Sequence, residues 1–397
     1  MAKDFFTFLS AHKIVFGPNT LEKLPESCEW SNIKKPIIVT TGLKSTNIIE
    51  RVRGLLPNCV VYDKVSPEPT SLQALECAEL ANEHGCDGFV GIGGGSSMDL
   101  AKTAAVVAKY GGRPLDYVGE SNVPGGVQPI IAIPTTAGSG SEVTSVASLT
   151  HNDGEELSKA GLSDNYLRPT VALVDPALLS GLPKKFVAEC GLDALAHGIE
   201  AFTAVDYKYN AAPVDGIFGG SNPISSHLAE KSIELIYKNL RTAAYQPENM
   251  EAKFNLALGS VLSGLGFGSA GLGAVHASYY AVSQKAGTTH AYTVGLMLPH
   301  VMKFNVMASP ERYARIAKII GVEEKGYSDY HNGMKAAEAI AELVVDVGLP
   351  ANLSELSIEE KDVQGLAENA MKHDRLVRGN AKKMSVSEFE KLFRNSL

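Results

Sequence analysis

Up to about Pro183 the chain alternates short β-branched runs with helical patterns; beyond it no such run recurs. Five runs in the first part read as strands: KPIIVTTG (35–42), NCVVYDKV (58–65), GFVGIGGG (88–95), PIIAIPTT (129–136) and TVALVDP (170–176). Helical patterns fit at 44–56 and 71–84, with another after Ser96. Strands that alternate with helices imply a parallel sheet covered on both faces. Such sheets bind ligands at glycine-rich turns on the C-terminal ends of their strands.

After Pro183 the texture is Ala, Leu and Glu, and helices are expected over 185–204, 227–245, 250–285, 309–320, 333–347 and 358–373. The predicted division is an α/β domain at 1–183 and an all-helical domain at 184–397, with the boundary near Ser180–Lys185. A chain of 397 residues exceeds one ordinary core, which agrees with two domains.

Composition narrows the function. A net charge of −8 without basic runs argues against nucleic acid. No apolar run approaches the ~18–20 residues that span a bilayer, and the N-terminus lacks a secretory h-region. The five cysteines are scattered and form no CxxC, so they read as small apolar side chains in a reducing cytoplasm.

Two loops suggest a ligand. GIGGGSSMDLAK (91–102) follows a strand and opens a helix. It departs from GxGxxG, because Ser96 stands where the last glycine belongs. Its glycines would still let backbone N–H groups meet a phosphate at the helix N-terminus. Asp99 is expected to cap that helix's first turn. PTTAGSGSEVT (134–144) carries Thr135, Thr136 and Ser139, small hydroxyls suited to a ribose or an amide. A tight strand–helix turn and a plain polar turn are the structural alternatives.

The helical pattern at 188–204, AECGLDALAHGIEAFTA, is apolar except for a few residues, among them Asp193 and His197. Four residues apart, they share a helix face and converge. Either they are a satisfied core pair or they are half of a metal site. His276, on a Gly/Ala-rich helical stretch, and His290, after Gly-Thr-Thr, complete a His3Asp set suited to Fe2+, Zn2+, Co2+ or Ni2+.

GGGSSMDLAK, PTTAGSGSEVT, CGLDALAHGIEAF, GLGAVHA and LMLPHVMKFN together resemble the iron-containing (group III) alcohol dehydrogenases over nearly the full length. The resemblance implies the dehydroquinate synthase-like fold, a nucleotide domain and a helical metal domain with the active site in the cleft between them. It implies metal ligands Asp193, His197, His276 and His290, which are then the catalytic centre. It places Gly93, Gly94, Gly95 and Ser96 on the pyrophosphate of NAD or NADP, Thr135, Thr136 and Ser139 near the nicotinamide, and Lys159 on the cofactor. Asp99 belongs to the same cofactor loop. The implied reaction is hydride transfer between the nicotinamide and an alcohol or aldehyde whose oxygen the metal polarises. The expected partners are a small alcohol or aldehyde and a second copy of the chain, as a homodimer.

Three departures stand out. Tyr280 occupies the position four residues after His276, where the family usually has a second histidine tied to proton transfer. Thr41 ends the first predicted strand where NAD-specific members often carry Asp, and Lys44 is close by, which favours NADP. The segment 205–220 is longer than usual, as a lid, an oligomer contact or a surface loop. The rival readings are a glycerol-type polyol dehydrogenase, a dehydroquinate synthase-like lyase and a non-catalytic metal or nucleotide sensor.

Overall fold

The computed structural model describes residues 3–397 except 45, 153–156 and 213–215; at 152, 157 and 158 the backbone alone is described. Contacts divide the chain into two units, Leu9–Ser180 and Gly181–Leu397, the latter together with Met1–Phe8. Residues 3–8 therefore group with the helical unit rather than with the sheet. The backbone N–H of Lys3 donates to the Lys208 carbonyl, and the ring of Phe6 meets Tyr207 edge-on at 5.2 Å.

In the first unit the strands are β1 (Lys13–Phe16), β2 (Pro36–Val39), β3 (Val60–Tyr62), β4 (Gly88–Gly93), β5 (Gly119–Glu120), β6 (Ile130–Pro134), β7 (Val146–Asn152), β8 (Leu157–Ser163) and β9 (Val171–Val174). Its helices are α1 (Leu24–Trp30), α2 (Ile48–Leu55), α3 (Ser71–Glu83) and α4 (Gly95–Tyr110). Six strands form one sheet in the order β1-β9-β6-β4-β2-β3, every pair parallel. Alternation sorts its side chains. Ile37, Val39 and Phe89 join the α3/α4 core on one face, whereas Ile38, Val90 and Ile92 join Leu21, Leu24 and Val52 on the other. The chain runs from β2 outward to β3 and then returns to β4 on the other side of β2. That reversal makes the C-terminal ends of β2 and β4 the switch point, the usual ligand crevice of an open α/β sheet.

The sequence reading found five of these six strands and missed β1, a run of only four residues. It also missed the small sheet β5-β8-β7, whose β7/β8 hairpin buries Ala147, Leu149, Ala160 and Leu162 on alternate positions.

The second unit is helical: α5 (Lys184–Thr203), α6 (Pro223–Tyr245), α7 (Met250–Ala270), α8 (Ala274–Ala286), α9 (His290–Asn305), α10 (Pro310–Ile320), α11 (Asp329–Asp346), α12 (Val363–Met371), α13 (Asp374–Gly379) and α14 (Val386–Arg394). The helix expected over 250–285 is two helices, bent by 101° at Gly271-Leu272-Gly273. No single helix among the described residues is long and apolar enough to cross a membrane.

Of the segment 205–220, residues 213–215 lie outside the described residues. The remainder packs inward at Asn210, Ile217 and Phe218, while Tyr209 is exposed.

Candidate metal centre and cofactor loops

Helix α5 is buried nearly all round, with Val187, Leu192, Leu195, Ile199 and Phe202 spread over its faces, so its polar residues need partners inside the protein. Asp193 and His197 lie on one face, with Nε2 and Oδ1 3.8 Å apart. Helix α8 brings His276 to the same carboxylate, Nε2 to Oδ1 3.7 Å, and His290, the first residue of α9, approaches to 3.3 Å. One ligand atom from each of the four residues lies within 4.8 Å of the others. The rings are ordered too: Phe267 stacks on His197 at 4.3 Å, and His197 on His276 at 4.7 Å. The ligand set opens at His290, whose side chain is 41% exposed; the other three are buried.

Glu200, which the sequence reading left out, fixes this arrangement. Its Oε2 accepts from Nδ1 of His276 at 2.5 Å, and its Oε1 accepts the Val275 N–H at 2.7 Å. One carboxylate thus caps the N-terminus of α8 and selects the tautomer that leaves the Nε2 lone pair facing Asp193. The signal was present in the sequence: Glu200 lies three residues after His197 and seven after Asp193 on an apolar helix. Asn380 adds a second cap, its Oδ1 accepting the Ala274 N–H.

Electrostatics and hydrogen bonding point the same way. Burial would push the Asp193 carboxyl up, but His197 and His290 hold it well below the carboxylate range. Burial alone would lower the His276 pKa; Glu200 and Asp193 outweigh it and raise it to about 9. Even so, Asp193 Oδ1 and His276 Nε2 are buried without a hydrogen-bond partner. Buried polar atoms left unbonded carry a desolvation cost, which a cation taking the place of the His276 proton between them would offset. The donor set, three imidazoles and a carboxylate, fits a divalent transition ion.

In the sheet unit, β4 runs into α4 through Gly93 and Gly94. Gly93 has φ +148, and a Cβ there would meet Ser97 Oγ at 2.4 Å. Gly94 differs: a Cβ would meet nothing closer than Thr136 at 3.5 Å, and no side chain caps α4. Nothing in the surrounding chain demands a glycine at 94, so the space suits a ligand whose phosphate sits on the helix N-terminus. Gly95 lies under Ser139, 3.0 Å from the position of its missing Cβ. Thr135 is buried, its N–H bonded to the Gly93 carbonyl. Ser139 and Thr136 therefore fold over the glycine turn. Ser96 directs its hydroxyl to the Pro67 carbonyl, and Lys159 pairs with Glu68 at 2.8 Å. Thr41 is exposed two residues beyond β2, and Lys44 is exposed nearby.

Asp99 does not cap its own helix as expected. It lies more than a turn beyond Gly94, and its carboxylate accepts from Ser141 Oγ (2.6 Å) and the Ser148 N–H (3.0 Å). Ser141 Oγ in turn accepts from Lys102 Nζ (2.8 Å), which also donates to the carbonyls of Thr144 and Val146. This network fastens the second loop to α4.

Comparison with known proteins matches both halves of the chain to one family. The family model described as iron-containing alcohol dehydrogenase matches residues 11–176, and that of the Fe-containing alcohol dehydrogenase family, C-terminal, matches 187–397. The NAD-dependent methanol dehydrogenase of Bacillus methanolicus is 32% identical, over 96% of this chain and 97% of its own length. The 1,3-propanediol dehydrogenase of Citrobacter freundii is 32% identical, over the whole of both chains. The crystal structure of a 1,3-propanediol oxidoreductase superposes with a TM-score of 0.91 at 31% identity, covering 99% of this chain and 100% of that one. The chain belongs to the iron-containing alcohol dehydrogenase family, oxidoreductases that act on CH–OH groups.

Proposed function

We propose that this chain is a metal-dependent, NAD(P)-linked alcohol dehydrogenase that also runs as an aldehyde reductase, with one divalent ion held by Asp193, His197, His276 and His290. The observation that carries the reading is the convergence of four ligand atoms within 4.8 Å, two of them buried without hydrogen-bond partners. When bound, the ion supplies a Lewis acid for the alcohol or aldehyde oxygen, and the nicotinamide supplies the hydride acceptor or donor.

The chain's own residues do the rest. Glu200 orients His276 so that Nε2 is the ligating nitrogen. The Gly93–Ser96 turn offers backbone N–H groups to the pyrophosphate, with Thr135, Thr136 and Ser139 beside the same turn. Lys159 reaches the cofactor by exchanging its Glu68 partner. A phenol is a poor proton acceptor at neutral pH, so the alcohol proton leaves through water rather than to Tyr280. Thr41 and Lys44 favour acceptance of NADP beside NAD. The methanol and propanediol relatives support a short primary alcohol over a glycerol-type polyol.

The test is turnover of NADH or NADPH with short aldehydes, followed by absorbance. Chelation is expected to abolish it and Fe2+ or Zn2+ to restore it. Full activity in a protein shown to be metal-free overturns the assignment.

A further inference from the structure

Helix α5 turns one polar stripe toward α8 and α9. Glu189, Asp193, His197 and Glu200 follow one another at steps of four, four and three residues, so they share a face. Asp193 and His197 are the ligands that α5 supplies, and Glu200, at the C-terminal end of the stripe, holds His276 and the start of α8. Glu189 stands at the other end, one turn before Asp193. It is 4% exposed, and burial pushes its carboxyl pKa up, against Lys185 and Thr289, which pull it down. Its Oε1 lies 3.7 Å from the exposed Lys185 ammonium and is buried without a hydrogen-bond partner. An acid in that place costs free energy that an apolar side chain would not.

The other oxygen, Oε2, accepts from Thr289 Oγ1 at 3.2 Å. Thr289 is the residue before His290. A threonine just ahead of a helix usually turns its hydroxyl back onto that helix's free N–H groups. Here it makes no such bond. The neighbouring hydroxyls are used locally: Thr293 Oγ1 donates to the Thr289 carbonyl, which leaves Thr288 as the donor to Thr293. Thr289 reaches across to α5 instead, and the acid it meets there also faces the positive end of α9.

The two histidines that come from outside α5 both lie in the first turn of a helix, His276 third in α8 and His290 first in α9. Where each ring sits depends on where its helix starts. A carboxylate of α5 fixes each start: Glu200 directly, through the Val275 N–H, and Glu189 through Thr289. Farther along, α9 packs on α5 at Gly295, where a Cβ would meet Leu192 at 3.0 Å. That contact sets the spacing of the two helices; the Thr289 bond pins the end from which His290 projects. His290 depends on such a tie more than the other ligands. Its side chain is 41% exposed, with Tyr279 edge-on to its ring at 4.2 Å, whereas His197 is stacked under Phe267 and His276 is bonded to Glu200.

Resting on the metal reading above, we propose that Glu189 is a positioning residue of the metal centre: through Thr289 it fixes the start of α9 and so holds His290 in the ligand set. Thr289 is exposed, so the bond competes with water and the effect is modest.

The experiment titrates the apo-protein with Zn2+ and records the visible d–d spectrum of the Co2+-loaded protein, which reports ligand geometry. The proteins are wild type, Glu189→Ala, Thr289→Val, the double variant and Glu189→Gln. Each of the first two variants is expected to weaken Zn2+ binding about threefold to tenfold and to alter the Co2+ spectrum. The double variant is expected to bind no more weakly than the weaker single one, because both substitutions break the same bond. Glu189→Gln keeps an oxygen that can accept from Thr289, and is expected to bind within about twofold of wild type. Thr289→Val leaves α5 untouched, so it decides the question where Glu189→Ala fails to fold. Unchanged Zn2+ affinity and an unchanged Co2+ spectrum in Thr289→Val overturn the proposal, as does a double variant whose losses add. A wild type that binds no divalent ion overturns the metal reading itself, and the proposal falls with it.

Discussion

The two units bury polar clusters of opposite kinds. In the sheet unit, Asp99, Ser141 and Lys102 satisfy one another. Each Lys102 donor has an acceptor, although burial lowers its pKa to about 8. In the helical unit, Asp193 Oδ1 and His276 Nε2 meet across 3.7 Å with no hydrogen bond. Burial is comparable, so it does not distinguish a structural cluster from a functional one. What distinguishes them is whether the chain itself completes the bonding. The first cluster is closed and holds two loops together; the second is open and calls for a cation.

The sharpest way to break this contrast is His276→Ala. Metal content is expected to drop to background and turnover by about a thousandfold or more, the scale of losing a metal's several kcal/mol of charge stabilisation, while circular dichroism still reports a folded helical unit. A variant that keeps both its metal and its rate would make the cluster structural.

Lys102→Met is the opposite experiment. It removes the donor that Lys102 supplies to Ser141 and to the carbonyls of Thr144 and Val146. It is expected to lower stability by about 3–5 kcal/mol, read as a fall in the denaturant midpoint, with metal content retained. An unchanged midpoint would mean the network is not needed to hold the loops.

Next in size is Glu200→Gln. The amide can still meet His276, but not as a charged acceptor. Metal affinity is expected to fall about 10- to 100-fold, the usual effect of removing a ligand's orienting partner. Titration of the apo-protein with Zn2+ reads it directly, and affinity within twofold of wild type would remove Glu200 from the centre.

Gly94→Val tests the open glycine turn. Its Cβ fits against Thr136, so folding is expected to be unaffected; the added methyls occupy the proposed phosphate position and raise cofactor KM about tenfold or more. Equal NADH binding, followed by fluorescence, would place the phosphate elsewhere.

Legibility from sequence followed the range of the interactions. Asp193 and His197 could be paired because helical spacing is local. His276 and His290, some eighty and a hundred residues further on, entered the set through composition and resemblance, since no spacing rule spans that distance. Glu200 was overlooked because a single acid on a buried helix says nothing of its partner until α8 is placed against it. The break at Gly271-Leu272-Gly273 was readable as a Gly-x-Gly interruption but was overridden by a long apolar run. Asp99 was misassigned for a similar reason. A short acid near a helix start normally caps it, and here a loop forty residues away offers Ser141 instead. The strand β1 is too short for periodicity to register, and β7 and β8 carry small residues where longer apolar side chains would have marked the alternation.

The smallest expected effect concerns the cofactor's ribose. Thr41 and Lys44 are both exposed just past β2, beside β4 at the switch point of the sheet. An aspartate at 41 would accept hydrogen bonds from the adenine ribose and repel a 2′-phosphate. Threonine does neither, and its hydroxyl can donate to the phosphate. Lys44, three residues on, adds a cation on a flexible stem. Exposure limits its worth: solvent and salt screen it, so the contact belongs at the low end of about 1.5–3 kcal/mol. NADPH is therefore expected to be used about as well as NADH or better, and Thr41→Asp to shift the ratio of kcat/KM toward NADH by about tenfold, which corresponds to ~1.4 kcal/mol. The shift is expected to shrink with ionic strength, because like-charge repulsion contributes to it. The measurement is kcat/KM for both cofactors, at low and high salt, in both proteins. A wild type that prefers NADH by more than about a hundredfold, or a variant with no shift at all, would show that ribose selection is made somewhere other than this strand end.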